Sequence, residues 1–249
     1  MSGLVIDSIS HRYDGSKMIL QQVNYQVGDG EFHCLVGRSG CGKTTFLKIV
    51  SGLLEAETGQ VLLDGQQVKK PLENAGFVFQ SPTLLEWKTV LENVLFPIEL
   101  KRKSTKEEQE RAKALLALMK IEQHMHSFPQ QLSGGQQSRV AIARALIKNP
   151  RYLFLDEPFA ALDAITREEL QDDLLALCAH HQMTVLFITH DIAEAIYVAD
   201  HVLVMEEGKI VHTETIDMPK PRTVEMRYSS RFNELGFVLR QALEGVPSA

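Results

Sequence analysis

A single eight-residue segment, Gly37 to Thr44, restricts the possible folds of this chain more than any other part of the sequence. The segment has the pattern G-x-x-x-x-G-K-[ST], lies directly after the apolar run Phe32 to Val36, and precedes a helical pattern from about Lys43 to Val50. A glycine-rich turn between a strand and a helix points backbone N–H groups and the positive end of the helix dipole toward one place. The segment therefore predicts an α/β fold with a phosphate-binding loop of the Walker A type.

The side chains of this loop suit a nucleotide. Lys43 can reach the β- and γ-phosphates and take part in catalysis, and the Thr44 hydroxyl can bind Mg²⁺. The alternative is an ordinary glycine turn with a solvated lysine, which the flanking strand and helix disfavour. The full set of residues predicted to bind ATP here is Gly37, Arg38, Ser39, Gly40, Cys41, Gly42, Lys43, Thr44 and Thr45.

The composition argues against several other classes of protein. Lys and Arg number 26 against 32 Asp and Glu, a net charge of −6 without a basic block, so no nucleic-acid partner is expected. The three cysteines form neither a disulfide framework nor a metal-type pair, which is typical of a reducing cytosol. No apolar run approaches the roughly 18 to 20 residues that cross a bilayer, so any membrane channel is expected on another chain.

No transition metal is predicted, because four histidines that might suggest a metal site have no carboxylate or cysteine at ligand spacing. Those histidines are His124, His126, His180 and His181.

Strand patterns recur along the chain in two forms. The earliest strands alternate apolar and polar residues, which predicts an antiparallel β subdomain at the N-terminus. The later strands are uninterrupted apolar runs separated by helices, which predicts a parallel sheet buried on both faces and a mixed sheet for the molecule. The predicted strands are Leu4 to Ser10, Ile19 to Val27, Phe32 to Val36, Gly59 to Asp64, Gly76 to Phe79, Tyr152 to Leu155 and Thr184 to Ile188.

The middle of the chain has a helical pattern, which we interpret as an α-helical subdomain of about residues 84–150 inserted in a main domain of residues 1–220. Capping boxes at Thr89–Glu92 and Ser104–Glu107 predict helix starts, and Thr166 with Glu169 predicts a third. Residues 221–249 are predicted to form a C-terminal helical tail that packs on the body. Its apolar stripe is Leu235, Val238, Leu239, Ala242 and Leu243.

Polar residues follow two of the apolar strands. Asp156 and Glu157 end one of them, and strand carboxyl ends line the ligand crevice of open α/β sheets. Asp156 is placed to hold Mg²⁺ through water, and Glu157 to orient or deprotonate the attacking water. His190 follows Thr184 to Ile188 and could stabilise the γ-phosphate. A surface turn is the alternative for the acidic pair.

Two further residues are weaker candidates. Gln80 closes a predicted strand, and its amide could contact Mg²⁺ or the attacking water, although a strand-end glutamine with no such role is the simpler interpretation. Tyr13 lies between the first two strands, where its ring could stack on adenine, and a tyrosine packing locally in a turn is equally compatible with the sequence.

The segment Leu132-Ser133-Gly134-Gly135-Gln136 precedes a helix and, together with the phosphate loop, resembles the ATP-binding subunits of ABC transporters. The resemblance covers roughly residues 4 to 215. It implies an ABC ATPase fold, with ATP and Mg²⁺ as ligand and cofactor, and a head-to-tail pair in which each ATP lies between the phosphate loop of one copy and this signature segment of the other. It also implies a family role for several single residues: Tyr13 at adenine, Gln80 in the glutamine loop, Glu157 as catalytic carboxylate, Asp163 with Ala161-Leu162 in the dimer-contact loop, and His190 as the switch histidine.

The segment Ser81 to Val94 is similar to that of importers of nitrate, sulfonates, taurine or thiamine-type pyrimidines. The resemblance implies a motor subunit on the cytoplasmic side of the membrane, working with permease subunits and, in an importer, a solute-binding protein. Glu86 departs from the subgroup pattern, as do Ser138 and the segment Met205 to Gly208. Trp87 is predicted either to meet the membrane subunit or to pack in the core. An ATPase of efflux or lipid transport, or one acting on nucleic acid or ribosomes, is the alternative.

Overall fold

The computed structural model describes residues 3–13, 15 and 17–245. Contacts within the chain divide it into two compact units, Met1–Glu73 with Gln182–Ala249, and Asn74–His181. The predicted helical subdomain, about residues 84–150, lies inside the second unit. The ends of the predicted ranges 1–220 and 221–249 include residues 1, 2 and 246–249, which lie outside the described residues.

The first unit begins with an antiparallel sheet of four strands in the order β2-β1-β4-β5. Strand β1 pairs antiparallel with both β2 and β4, and its side chains alternate between buried and exposed at one end. The sheet confirms the predicted N-terminal antiparallel subdomain. Its strands are β1 (Leu4–His11), β2 (Leu20–Val27), β4 (Thr58–Leu63) and β5 (Gln66–Gln67).

The same unit contains β3 (Phe32–Gly37), which leads into the phosphate loop, and β8 (Thr184–Ile188), which leads to His190. Strand β3 pairs parallel with β8 on one side and with β9 (His201–Glu206) on the other. All residues of β3 and β8 are buried, which explains their uninterrupted apolar sequences. Strand β10 (Lys209–Thr215) runs antiparallel to β9, so the sheet is mixed, as predicted.

The hairpin of β9 and β10 was not predicted from the sequence. Its two-residue turn has positive φ angles of 44° at Glu207 and 77° at Gly208. Two consecutive positive φ angles are typical of tight hairpin turns that follow the strand twist. Gly208 between the apolar runs Val202 to Met205 and Ile210 to Val211 was the available signal, but glutamate is not a usual residue at the preceding position.

The described residues of the first unit also form the α-helices α1 (Lys43–Val50), α6 (Ile192–Val198) and α7 (Ser230–Glu244). Helix α7 forms from the predicted tail and packs against α6 and β9. Its buried residues are Phe232, Leu235 and Leu239, and the last two belong to the predicted five-residue stripe. Helix α7 is thus held to the first unit by part of that stripe.

The second unit contains the parallel pair β6 (Ala75–Val78) and β7 (Tyr152–Asp156). Helices α2 (Val90–Glu99), α3 (Lys106–Leu118), α4 (Gly134–Leu146) and α5 (Ala164–His180) make up most of the rest. Thr89 caps α2 in a reciprocal pair with Glu92, as the sequence predicted.

Two predicted helix starts are wrong by a short distance. Helix α3 is capped by Thr105 with Glu108, one residue later than the predicted Ser104 and Glu107. The Ser104 hydroxyl instead donates to Glu99, and Arg102 holds Glu108 in place with a bond of 2.7 Å. Helix α5 begins at Ala164, because the Asp163 carboxylate accepts the Thr166 N–H and caps the helix before the predicted Thr166.

Candidate nucleotide-binding site

The phosphate loop joins β3 to α1 in the first unit. Gly42 is the N-cap of α1 and has φ 112°, and no side chain caps the helix. The N–H groups of a first helical turn have no partner within the helix. In this loop they are therefore suited to an anionic ligand, as the sequence predicted.

Two glycines of the loop are required by close approach of other backbone. A Cβ at Gly37 would lie 2.4 Å from the Met205 carbonyl oxygen, and one at Gly42 would lie 2.8 Å from that of Ile19. Both distances are shorter than any van der Waals contact allows. Gly40 has φ 79° with open space beside it, so it serves the turn itself.

Lys43 lies within the loop and is only 7% exposed. Its ammonium donates to the carbonyl oxygens of Gly37 and Arg38, at 2.8 Å and 3.0 Å. These acceptors are neutral, so they orient the ammonium without cancelling its charge. The charge remains available to phosphate oxygens.

Cys41 lies beside the lysine, with its sulfur 3.9 Å from the Lys43 ammonium. Burial raises the pKa of the thiol, and the nearby ammonium offsets part of that effect. The thiol is therefore less reactive at neutral pH than an exposed cysteine.

The two threonines of α1 have different surroundings. Thr44 is exposed, as a predicted Mg²⁺ ligand needs to be, while Thr45 is buried. The Thr45 hydroxyl lies 3.3 Å from the Tyr13 hydroxyl. This contact places the tyrosine next to the phosphate loop, with 44% of the residue exposed and its ring perpendicular to that of His11, the ring centroids being 4.9 Å apart. An accessible ring face is what stacking on adenine requires.

His190 also lies beside the loop. It follows β8, and the next residues form a turn in which Thr189 Oγ1 accepts the Asp191 N–H at 3.0 Å while the Asp191 carboxylate caps α6. His190 and the loop residues Gly37 to Ser39 line an open cavity of about 430 Å³. The structure therefore brings the predicted switch histidine to the phosphate loop.

The cavity also contains residues that the sequence analysis missed. Arg240, Leu243 and Glu244 of α7 line it together with the loop. The apolar stripe of the tail predicted a helix, but no local pattern shows which part of the chain that helix reaches.

The second unit brings together three predicted site residues at the end of β7: the predicted base Glu157 and the predicted Mg²⁺ ligands Asp156 and Gln80. Asp156 is the last residue of the strand and is buried. Glu157 follows with φ 48°, a left-handed conformation that is uncommon for a residue with a side chain and occurs often at functional sites. The Gln80 amide donates to the Glu157 carboxylate at 3.4 Å. The glutamine is therefore in contact with the predicted base.

The signature segment starts helix α4. Ser133 is its N-cap, and Ser133 and Gln136 satisfy each other's backbone N–H groups, at 2.8 Å and 3.3 Å. Ser133 and Gly134 are exposed, and Leu132 is buried. Gly135 is packed closely, because a Cβ there would lie 2.9 Å from both the Ala161 oxygen and a Leu162 methyl carbon. The signature segment and the Ala161 to Asp163 loop are therefore neighbours in the second unit.

Known proteins similar in sequence to this chain identify its family. The pattern of the family described as ABC transporter matches residues 20–160. An aliphatic sulfonates import ATP-binding protein from Xanthomonas axonopodis is 43% identical over 224 residues, which cover 89% of this chain and 88% of that one. Another protein with that function in its name, SsuB from Corynebacterium glutamicum, is 44% identical over 87% of this chain and 86% of its own length. The chain belongs to the ABC transporter family.

Solved structures agree with the assignment of this ABC protein. The dimeric structure of a bacterial ABC transporter cassette has a TM-score of 0.79 and 31% identity, and the match covers 87% of this chain and all of the cassette. A second structure of that cassette, a post-hydrolysis state bound to ADP and Pi, matches equally well. The predicted fold and the ATPase class are therefore confirmed. Among the residues that the structure describes, no helix combines the length and the apolar composition needed to span a bilayer.

Proposed function

We propose that this ABC protein is the ATP-hydrolysing subunit of an importer for a small solute, with aliphatic sulfonates as the first class to test. The observation that carries the proposal is the phosphate loop, in which Lys43 is held on neutral carbonyl groups at the start of an uncapped helix. The solute class rests on the names of the relatives, which are aliphatic sulfonates import proteins. A role in efflux or in nucleic-acid metabolism has no comparable support.

The phosphate loop is proposed to bind the triphosphate of ATP. Lys43 would contact the β- and γ-phosphates, the N–H groups of Gly40 to Thr44 would surround them, and Tyr13 would stack on adenine. Oxygen ligands of the kind that Mg²⁺ prefers are present in each unit: in the first, Thr44 offers an exposed hydroxyl, and in the second, Asp156 has a carboxylate and Gln80 an amide oxygen. Mg²⁺ neutralises charge on the phosphates when it is bound.

Glu157 is proposed as the general base. Its carboxylate would accept a proton from the attacking water, and the Gln80 amide at 3.4 Å would hold it in position. His190 would stabilise the γ-phosphate, as its place beside Gly37 to Ser39 allows.

Each ATP is proposed to lie between two copies of the chain. Ser133 and Gly134 are exposed at the start of α4, where the helix dipole favours an anion. The γ-phosphate would connect the phosphate loop of one copy to this segment of the other, with Asp163 nearby, and hydrolysis would release the pair. The dimeric cassette structure supports pairing.

The partners in the membrane are proposed to be permease subunits, with a solute-binding protein outside. Trp87 is 74% exposed, so it does not pack in the core, and a large exposed aromatic side chain is typical of a binding surface. The protein would then lie peripherally on the cytoplasmic side of the membrane.

The test of the catalytic assignment is Glu157→Gln in the purified protein. The change keeps the shape of the side chain and removes the base, so we expect ATP binding to persist, turnover to fall by about 10²-fold or more, and an ATP-bound dimer to accumulate. Glu122→Gln, an exposed site in a 3-10 turn, makes the same charge change and is the control. Normal turnover of Glu157→Gln, measured as released phosphate, would refute the assigned base.

A further inference from the structure

A side chain outside the signature segment holds the start of helix α4. The Gln136 side chain bridges two groups: its Oε1 accepts the Ser133 N–H at 2.8 Å, and its Nε2 lies 3.2 Å from Nε2 of His124. His124 belongs to a short 3-10 turn, Glu122–His124, that precedes the signature segment. The three residues therefore form one series of hydrogen bonds, which we call the Ser133–Gln136–His124 chain.

The direction of each hydrogen bond in this chain is fixed by chemistry. A backbone N–H can only donate, so the amide oxygen of Gln136 must face Ser133 and the amide NH₂ group must face His124. The NH₂ group also only donates, so Nε2 of His124 has to accept. A ring nitrogen accepts only when it carries no proton, which places the ring proton on Nδ1. His124 is therefore a specific acceptor for this amide.

The backbone around His124 is held on both sides, so the position of its ring is set in advance. Its N–H donates to the Ile121 carbonyl oxygen at 3.0 Å, and its own carbonyl accepts the Ser127 N–H at 2.9 Å. The same segment is tied to the start of α2, where the Leu91 N–H donates to the Met125 carbonyl oxygen at 3.0 Å. A side chain on a fixed backbone loses less conformational entropy when it forms a hydrogen bond.

The chain acts on the residue of the signature segment that is proposed to meet ATP. The Ser133 hydroxyl accepts the Gln136 N–H at 3.3 Å, so it can donate its own proton to a phosphate oxygen. Ser133 is exposed at the start of a helix, where the dipole favours an anion. Because the Gln136 side chain also accepts the Ser133 N–H, two hydrogen bonds hold the serine in one orientation.

We infer that His124 is a positioning residue of the ATP site: it holds Gln136, which orients Ser133 toward the γ-phosphate bound by a second copy. The inference rests on the proposed function, in which two copies enclose ATP. His124 would not touch the nucleotide and would contribute only through the acceptor at Nε2. Without that acceptor the Gln136 amide could rotate, and the Ser133 N–H would lose its partner.

The first test removes the acceptor and then restores it, in full-length protein that carries Glu157→Gln so that ATP-bound dimers accumulate. His124→Leu should weaken ATP-dependent dimerisation by about ten-fold or more, because every dimer contains two such segments. His124→Gln places an amide oxygen where Nε2 lies and should restore most of the pairing. His126→Leu, at an exposed position two residues later, is the control and should pair like the parent protein.

The second test asks whether His124 acts through Gln136. Gln136→Met removes the amide, keeps the length of the side chain, and should weaken pairing at least as much as His124→Leu. Adding His124→Leu to Gln136→Met should then have little further effect, because the two residues share one interaction. Full additivity of the two losses would show that His124 acts elsewhere, and it would overturn the inference.

Nucleotide binding by the monomer separates positioning from a general effect on folding. ATP affinity should be unchanged in His124→Leu and His124→Gln, since the phosphate loop belongs to the first unit and His124 to the second. If His124→Leu loses ATP binding together with pairing, the substitution acts on the fold, and the inference is wrong.

The outcomes also separate the inference from the proposed function. Weak pairing of His124→Leu, with rescue by His124→Gln, supports the inference. Dimers that form with ATP equally well in His124→Leu and in the parent, as measured by light scattering, overturn the inference alone. Weak pairing of both variants overturns it as well, because the acceptor is then not what matters. If the parent forms no dimer with ATP, both the proposed pairing and the inference are wrong.

Discussion

Single residues of the signature segment have different structural demands, although the sequence pattern treats them alike. A Cβ added at Gly135 would lie 2.9 Å from the Ala161 oxygen and from a Leu162 methyl carbon, whereas one added at Gly134 would lie 3.9 Å from the Ala161 methyl. The pattern predicted that both glycines matter for binding. It could not show that only one of them is required for packing, because that depends on a loop 26 residues later in the chain.

Alanine substitutions at these two glycines test the difference. Gly135→Ala should lower the free energy of unfolding by about 1 to 2 kcal/mol, since the added methyl group has no space. Gly134→Ala should leave it unchanged or raise it by up to about 0.5 kcal/mol, because alanine is the better helix former. Urea unfolding of the nucleotide-free subunit measures both, and equal losses would contradict the packing difference.

At the scale of the elements, most starts and ends followed from the sequence, and the errors have local causes. The apolar strands were recognised because buried parallel strands have no polar alternation. Two helix starts were misplaced, since Ser104 and Thr105 both have cap-forming hydroxyls and only the ion pair of Arg102 with Glu108 favours the later one. The missed hairpin of β9 and β10 has a turn sequence that is unusual for its geometry.

The capping correction can be checked with two substitutions in adjacent residues. Thr105→Ala should lower the free energy of unfolding by about 1 kcal/mol, because the first turn of α3 loses the hydroxyl that accepts the Glu108 N–H. Ser104→Ala should cost clearly less, as the contacts of its hydroxyl with Glu99 and Gln109 are exposed. Larger destabilisation by Ser104→Ala in chemical denaturation would restore the original prediction.

At the scale of the whole molecule, the family and the chemistry of the site were predictable, because short motifs carry them. The packing of the tail beside the phosphate loop was not, since it depends on contacts distant in sequence. Sequence patterns also could not predict a polar cluster around the buried His33 in the first unit. There His33 bonds to Tyr25 at 2.9 Å and to Glu31 at 3.0 Å, and its ring stacks on His201 at 5.0 Å.

His33 should make the stability of the fold depend on pH. Burial, with the neighbouring His201, lowers the pKa of His33 to about 4, although Glu31 and Asp200 favour the charged form. The unfolded chain binds a proton near pH 6.5 and the folded protein does not, so this contribution is intact above that pH and is lost as the pH falls toward 4. Between pH 7 and 5 the loss should be about 2 kcal/mol.

Urea unfolding at the two pH values measures this loss. The His33→Gln variant should be less stable at pH 7 but should show a smaller change toward pH 5, because the titrating ring is gone. His126→Gln, at an exposed position, should retain the slope of the parent protein. If the free energy of unfolding of His33→Gln changes between the two pH values as much as that of the parent protein, other groups cause the pH dependence.

Asp163 caps helix α5 within its own chain, and in the proposed pair the same carboxylate faces the other chain. A substitution of Asp163 would therefore affect both the start of α5 and the contact with the other chain. Asparagine and serine can replace aspartate as a helix cap without its charge, so they would preserve the fold of a subunit while altering which subunits it recognises.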